Sequence, residues 1–338
     1  MTLPVAGFSV AFEDANMVCM RFRGRPGGVN ALVATAVLTF GSALAAQQPA
    51  GGDPAVEFAR LWEQITGDPA TAPRLAPVAV TAFLRIADAS ARLAGLERAV
   101  AVRCLAGQAE AAIGLAAEAR QAGIEGPILV EYELRALAQA GRLADFAAAT
   151  RAAATGQPAA MLAAVRAEEG RILMLADAAL RTGQAADAVH AFELFVQAWP
   201  GDAVRLANLA LTRRHLGDVR GTAAAYEQAL AAAPDDPQIR SDHGLFLRAT
   251  GDWPGALAAL QSALAKEAVP GAGPAITNLV QMAVLAPDRM PMDVLPTASR
   301  ALSVRPDAVF LRRVTLDLIL DRSAIGSKQP FGKSASTR

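Results

Sequence analysis

Hydrophobic positions in the middle of the chain recur with the spacing of amphipathic helices. Leu206, Leu209 and Ala210 fall on one helical face, and a short polar turn follows them. The same spacing then returns at Ala223, Tyr226, Ala229 and Leu230. Apolar residues at i, i+3, i+4 and i+7 form a stripe along one side of a helix. Strand-like alternation is absent from the sequence over any useful length, so the pattern predicts an all-α protein of paired helices.

A glycine recurs every 34 residues between these helices, at Gly183, Gly217 and Gly251. Each is followed by a small residue five positions later and by a large apolar or aromatic one nine positions later, and the first two by proline after seventeen. A fixed period with a turn glycine is typical of a helix–turn–helix solenoid, in which each pair needs a neighbour to bury its apolar stripe. The clear units are 169–202, 203–236 and 237–270.

This pattern resembles the tetratricopeptide repeat, a family that prefers Trp, Leu, Gly, Tyr, Ala, Phe, Ala and Pro at eight positions. The unit 203–236 keeps the size class at most of them, and Arg213 in place of tyrosine is the clear departure. Its eight residues are Leu206, Leu209, Ala210, Arg213, Thr222, Tyr226, Ala229 and Pro234. The resemblance implies an α-solenoid of antiparallel helix pairs, a right-handed superhelix that binds other proteins.

Fainter units precede the clear ones. Gly107 and Gly141 are also 34 residues apart and predict degenerate helical repeats over 93–168. The interval from Gly141 to Gly183 is eight residues too long. Because 161–168 contains no helix breaker, we expect a first helix lengthened by about two turns. Helices over 55–92, one near 55–65 and one at 76–92, are expected to cap the front of the array.

The end of the chain departs further from the period. Residues 271–322 predict a degenerate unit at 275–308, whose Pro287, Pro291 and Pro296 would each interrupt a helix, and a last helix from Asp307 to Asp321. That helix carries more apolar residues than one contact face needs. We therefore expect a second copy or a partner to cover part of it through Phe310, Val314 and Leu318, unless the helix folds back into its own array. Residues 323–338 are polar and are expected to be disordered.

The family resemblance also indicates a binding surface. In tetratricopeptide arrays the first helix of each pair lines a concave groove, and arginines recur near the ends of three such helices here. With neighbouring leucines they would hold an extended or helical peptide, guanidinium groups contacting carboxylates. The candidate groove residues are Asp177, Arg181, Asn208, Leu211, Arg214, Asp242, Leu245 and Arg248. The alternative is that these arginines only complement helix dipoles. The family's carboxylate clamp is matched only at Asn208, so its specificity is not carried over.

No motif for catalysis stands out in the sequence. His-Glu-x-x-His, Gly-x-x-x-x-Gly-Lys, Gly-x-Ser-x-Gly and Cys-x-x-Cys are all absent from it. The formal net charge is zero, which argues against a nucleic-acid binder that relies on phosphate neutralisation. His215 and His243 occupy different positions of consecutive first helices, and Asp235 and Asp236 precede a helix that they would cap, so no metal site is predicted.

We therefore expect a non-enzymatic adaptor with a protein or peptide partner and no cofactor. The alternatives are a cytoplasmic or membrane-tethered scaffold, and a regulatory subunit of an enzyme complex, because such arrays often precede catalytic domains.

The first 46 residues have the composition of a secretory signal peptide, followed by a linker at 47–54. Three arginines between 21 and 25 precede an uncharged stretch at 29–40 and an Ala-x-Ala site ending at Ala45. The apolar part is shorter than the roughly 20 residues that span a bilayer. We expect cleavage and a periplasmic or secreted chain without a stable membrane span. An inner-membrane anchor through 26–46 and a disordered cytosolic leader are the alternatives, and Met1, Met17 and Met20 are three candidate starts.

Cysteine usage agrees with a fold held by packing. Cleavage would remove Cys19 and leave Cys104 as a lone thiol, which cannot form an intramolecular disulfide. We expect Cys104 to be a small apolar residue on a helix, the alternative being a redox sensor.

Overall fold

The computed structural model describes residues 52–267, 273–286, 290 and 294–326, with side chains placed up to Leu320. The predicted leader and most of the predicted tail lie outside these residues. Within them the chain forms helices joined by short turns, which confirms the all-α solenoid. The helices are α1 (Pro54–Gly67), α2 (Ala72–Leu84), α3 (Ala89–Leu105), α4 (Ala109–Gln121), α5 (Pro127–Gln139), α6 (Leu143–Gly156), α7 (Pro158–Ala167), α8 (Glu169–Arg181), α9 (Ala185–Ala198), α10 (Ala203–His215), α11 (Val219–Ala232), α12 (Pro237–Ala249), α13 (Trp253–Lys266), α14 (Ala275–Leu285), α15 (Leu295–Val304) and α16 (Val309–Gly326).

The repeating glycines end the first helix of each pair. Gly217 has φ 72°, a left-handed conformation that costs glycine little because it has no Cβ. Its N–H donates to the carbonyl of Arg214 at 2.9 Å, and the N–H of Asp218 donates to the carbonyl of Arg213 at 3.1 Å. These two bonds satisfy carbonyls that the helix leaves open and reverse the chain into α11. The other four predicted turn glycines have the same positive φ: Gly107, Gly141, Gly183 and Gly251.

Small residues let the two helices of a pair approach closely. In α11 the buried side chains are Thr222, Ala225, Tyr226 and Ala229. In α12 a Cβ added at Gly244 would lie 2.9 Å from the Cγ of Leu260 on α13, so these two helices pack closer than any side chain at Gly244 would allow. Each pair packs on the next, α9 on α10 and α11 on α12, as the solenoid pattern requires.

The eight-residue insertion does not lengthen a helix, so that prediction is wrong. Pro158 begins a separate ten-residue helix, α7, and the backbone leaves helical geometry at Glu168, with φ −112° and ψ 20°. The α7 helix packs against α5 and also contacts α9. Residues 161–168 therefore contribute an extra element across α5 instead of two turns on α8. The physical reason is the inward turn of the Glu168 side chain, which is buried against α5.

Three other boundaries also differ from the expectations. The helix expected at 76–92 is two helices, because α2 ends at Leu84 and Asp88 caps α3 by accepting a hydrogen bond from the N–H of Ala91 at 2.7 Å. Pro296 stands in the first turn of α15, where proline is tolerated, so it does not interrupt a helix. The last helix continues to Gly326, so the first four residues of the predicted disordered tail are helical. Pro287 and Pro291 lie outside the described residues.

The α16 helix closes the described part of the array. Its Leu311, Val314 and Leu318 are buried in a hydrophobic cluster with residues of α13, α14 and α15. Val314 and Leu318 are therefore not available for the expected self-association, since both side chains are buried within the chain. Phe310, on another side of the helix, is 41% exposed.

Candidate functional site

The first helices of the clear units carry the eight candidate groove residues, and α8 presents two of them as a pair. Asp177 and Arg181 form an ion pair four residues apart on one face of the helix. Met174, one turn earlier on the same side, is an exposed large apolar residue. This part of α8 therefore offers an apolar side chain beside a guanidinium group that already contacts a carboxylate.

The α10 helix divides its three candidates between core and surface. Asn208 is buried within a run of five consecutive buried residues, 206–210, because α10 packs against α9 and α11 and also contacts α12. Leu211 is half-buried, and Arg214 is exposed in the last turn. Of the three, Leu211 and Arg214 are accessible to a ligand and Asn208 is not.

The α12 helix ties its candidates to neighbouring polar groups. Asp242 accepts a hydrogen bond from the Nε2 of Gln238 at 3.1 Å. Arg248 donates from Nη1 to the Oε1 of Gln281 on α14 at 2.8 Å. Leu245 lies half-buried one turn before Arg248. The α12 helix thus repeats, 34 residues later, the leucine and arginine that α10 presents at Leu211 and Arg214.

Polar contacts, one of them buried, connect successive first helices. Asn278 of α14 donates from Nδ2 to the Oγ of Ser241 on α12 at 3.0 Å, and both side chains are buried. Arg205 of α10 forms ion pairs with Glu169 at the start of α8 and with Asp202. The guanidinium group of Arg205 also lies 4.0 Å from the centre of the Trp199 ring. These contacts join α12 to α14 and α8 to α10, the helices that carry the candidate residues or lie beside them.

Two of the three histidines take part in packing. His243 lies 5.5 Å from the ring centre of Tyr226 and 6.3 Å from that of Phe246, and burial lowers its pKa. His190 lies with Nε2 at 2.8 Å from the Oγ1 of Thr150, and burial, followed by the nearby Arg151, lowers its pKa. Within the described ranges, no group of three His, Cys, Asp or Glu side chains could hold a metal ion.

A polar cluster at the junction of α5, α7 and α8 was missed by sequence reasoning. Glu168, 9% exposed, accepts hydrogen bonds from the Nε2 of Gln139 at 2.8 Å and the Nε of Arg135 at 3.4 Å. Arg171 lies 3.4 Å from its other oxygen. The nearby Cys104 is buried in α3, and burial raises the pKa of its thiol to about 12. The excess of eight residues before Gly183 was the only signal that marked this place in the sequence.

The fold and the repeated surface residues define a helical-repeat solenoid with tetratricopeptide-like pairs. No protein-family model matches the chain, and no curated protein matches it. In the part of the chain that the structure describes, no helix is both long and apolar enough to cross a membrane.

Solved structures similar to this chain include several tetratricopeptide repeat proteins. One, from Parabacteroides merdae, is 10% identical and has a TM-score of 0.38, covering 79% of this chain and 100% of its own. A thermophilic protein of Thermus thermophilus is 18% identical with a TM-score of 0.26, covering 68% and 99%. The TPR2AB domain of yeast Sti1, in complex with pHSP90, is 17% identical with a TM-score of 0.27, covering 64% and 92%. All three scores are low, so the classification rests on the repeat geometry of the chain itself.

Proposed function

We propose that this protein is a non-enzymatic scaffold that binds an acidic peptide across its first helices. The main support is that a leucine and an arginine recur three residues apart in two successive first helices. Leu211 and Arg214 stand in α10, and Leu245 and Arg248 stand in the same repeat positions of α12. A ligand crossing both helices would meet an apolar contact and a guanidinium group twice, at the spacing between the helices.

Helix spacing sets the length of the ligand motif. Packed helices lie about 8–10 Å apart, and an extended peptide advances about 3.3 Å per residue. Two acidic side chains about three residues apart would therefore reach Arg214 and Arg248, and an apolar residue between them would meet the leucines. We infer a ligand of the pattern acidic–x–x–acidic with apolar residues interspersed, bound in extended form.

The contacts of Arg248 are compatible with this role. Its Nη1 donates to the amide oxygen of Gln281, which is neutral, whereas a ligand carboxylate would add the attraction between opposite charges. A ligand carboxylate can therefore compete with the amide for this donor. Met174 and Arg181 of α8 would extend the same surface toward the start of the array.

A binding measurement distinguishes this proposal from arginines that only complement helix dipoles. The probe is a fluorescein-labelled twelve-residue peptide with glutamate at every third position and leucines between, measured by anisotropy against the same peptide with lysine for glutamate. We expect the acidic peptide to bind, with affinity that falls as salt rises. The double variant Arg214→Ala/Arg248→Ala should weaken binding at least tenfold.

The matched control is Arg220→Ala, which removes an exposed arginine at the start of α11. It should leave peptide affinity unchanged. Equal affinities for the double variant and the wild-type chain, or no preference for the acidic peptide, would contradict the proposed groove. A lowered melting temperature for the double variant with unchanged binding would support the dipole explanation instead.

We also propose export to the cell envelope, which the sequence pattern of residues 21–46 supports. Protein recovered from the periplasm of a bacterial culture that produces the full chain should begin at Ala46 or Gln47, as measured by intact mass and N-terminal sequencing. Recovery of the full-length chain from the cytosol, or from the membrane fraction, would overturn this proposal.

A further inference from the structure

The last described helix, α16, has two apolar faces, and the described part of the chain buries only one of them. Leu311, Val314 and Leu318 point into the hydrophobic cluster with α14. On the opposite side Val309 is 75% exposed and Leu316 is 53% exposed. At about 100° per residue these two lie within roughly 20° of each other on the helix surface. We call the exposed large apolar residues of this helix the outer face of α16: Val309, Phe310, Leu316, Ile319 and Leu320.

The first described helix, α1, has a polar exposed side and provides a comparison. The exposed side of α1 carries Arg60, Glu63 and Gln64, and Val56 is the only large apolar residue exposed on that helix. The Nη1 of Arg60 donates to the Oε1 of Gln64 at 3.4 Å. Terminal repeats of a solenoid need such a polar face in order to stay soluble. On the outer face of α16, by contrast, five large apolar side chains are exposed beside the charged Arg312, Arg313 and Asp317, and an exposed apolar group of this kind is typical of a protein–protein interface.

The charges beside this face are arranged for a copy of the same helix running in the opposite direction. Arg313 and Asp317 are both exposed and lie on one flank of the outer face, four residues apart. In an antiparallel pair with its two-fold axis near Thr315, Arg313 of each copy lies opposite Asp317 of the other. A parallel pair would place arginine against arginine and aspartate against aspartate.

From these observations we propose that the protein forms a symmetric dimer through antiparallel packing of two α16 helices. Such an interface uses the same patch on both copies and closes after two, whereas head-to-tail stacking would produce a larger ring or an open filament. Head-to-tail stacking would also place the apolar outer face of α16 in one copy against the polar exposed side of α1 in the next. The segment that follows α16, 327–338, has Phe331 as its only large apolar residue, so its composition does not suit it to cover five apolar side chains.

Light scattering with size-exclusion chromatography on the full chain tests the dimer. We expect twice the monomer mass at micromolar concentration. Val309→Glu/Leu316→Glu should shift the chain to monomer, raising the dissociation constant at least tenfold, with an unchanged circular dichroism spectrum because both side chains are exposed. The control Val56→Glu should remain a dimer. A monomeric wild-type chain, or a dimer that survives Val309→Glu/Leu316→Glu, would overturn the proposal.

Charge reversal tests the antiparallel direction. Arg313→Asp and Asp317→Arg should each weaken the dimer, since each places like charges opposite one another. The double variant Arg313→Asp/Asp317→Arg should regain wild-type affinity, because the reciprocal pairs are restored with their signs exchanged. A double variant that is as weak as either single variant would contradict the antiparallel arrangement.

Disulfide trapping locates the two-fold axis, in a chain that also carries Cys19→Ser and Cys104→Ser. Leu316→Cys lies beside the axis and should form an intermolecular disulfide on mild oxidation. Val309→Cys should not, because a helix rise of 1.5 Å per residue separates its two copies by about 20 Å along the helix, whereas a disulfide needs Cα atoms within about 7 Å. Trapping of both variants, or of neither, would count against the proposed pairing.

Discussion

The regular pairs α10–α13 and the junction around α7 join neighbouring helices by different chemistry. In the regular pairs the contacts are small apolar side chains such as Ala225, Ala229 and Ala256, all at most 1% exposed. Their second helices are capped by Asp218 and Asp252, which accept hydrogen bonds from the N–H groups of Gly221 and Gly255 at 2.9 Å. Close packing and local caps are sufficient to hold these helices together, because the 34-residue period places the apolar stripe of each helix opposite that of its neighbour.

At the junction around α7, charged side chains make many of the contacts that join neighbouring helices. Glu168 contacts Arg135, Gln139 and Arg171, and Arg166 donates from Nε and Nη2 to the carbonyl of Ala198 at the end of α9. A buried ion pair contributes little net stability, but breaking it leaves a charge uncompensated. The difference teaches that an inserted helix can be accommodated when directional contacts fix where the interrupted repeat resumes.

The largest effect is expected from a charge placed in the regular packing. Ala229 is fully buried in α11, so Ala229→Arg must overpack the helix contact and bury a cation, which should cost about 3 kcal/mol or more. Gln228→Arg, one residue away and exposed, should leave the unfolding midpoint in urea almost unchanged. Equal midpoints for the two variants would mean that the tight packing assigned to the regular pairs is wrong.

A smaller effect is expected at the junction. Glu168→Ala removes the shared acceptor of Arg135 and Gln139 and should destabilise the chain by about 2 kcal/mol, since Arg135 keeps Glu131 as a second partner at 3.5 Å. Glu168→Gln retains an acceptor oxygen and should cost less, as measured by urea unfolding. If Glu168→Ala is as stable as the wild-type chain, the polar cluster does not hold the junction.

The smallest effect distinguishes two equivalent positions of successive repeats. Asp218→Ala removes a helix cap and should cost about 1 kcal/mol. Gln184 stands at the same position one unit earlier and makes no side-chain cap hydrogen bond, so Gln184→Ala should have almost no effect. Thermal unfolding of the two variants side by side measures the difference in stability. A larger loss of stability for Gln184→Ala than for Asp218→Ala would contradict the conclusion that Asp218 caps its helix and Gln184 does not.

Local signals allowed the helix pairs to be predicted, because the features that end a helix are encoded next to it. Gly217 and Gly251 reverse the chain through their own backbone conformations, and the apolar stripes follow from spacing within one helix. The break at Glu168 could not be predicted in this way. It depends on Gln139 and Arg135, which lie 29 and 33 residues earlier in the chain.

The candidate groove was predictable only in part for the same reason. Repeat position alone placed Asn208 on the groove, but α10 has neighbours on several sides and buries that side chain. The link between Arg248 and Gln281 joins two first helices 33 residues apart, and no local pattern in the sequence marks it. The exposed outer face of α16 was anticipated as an excess of apolar residues, although the structure assigns Val314 and Leu318 to the buried side.

The buried thiol of Cys104 can serve as a probe of local opening around α3. Alkylating reagents attack the thiolate, and a pKa of about 12 leaves almost none of it at neutral pH while the helix is closed. The thiol regains ordinary reactivity only when α3 separates from the helices packed against it, which include α2, α4 and α5. In a Cys19→Ser chain, the slow rate of labelling would therefore measure how often α3 separates from its neighbours by local opening, while the rest of the molecule stays folded.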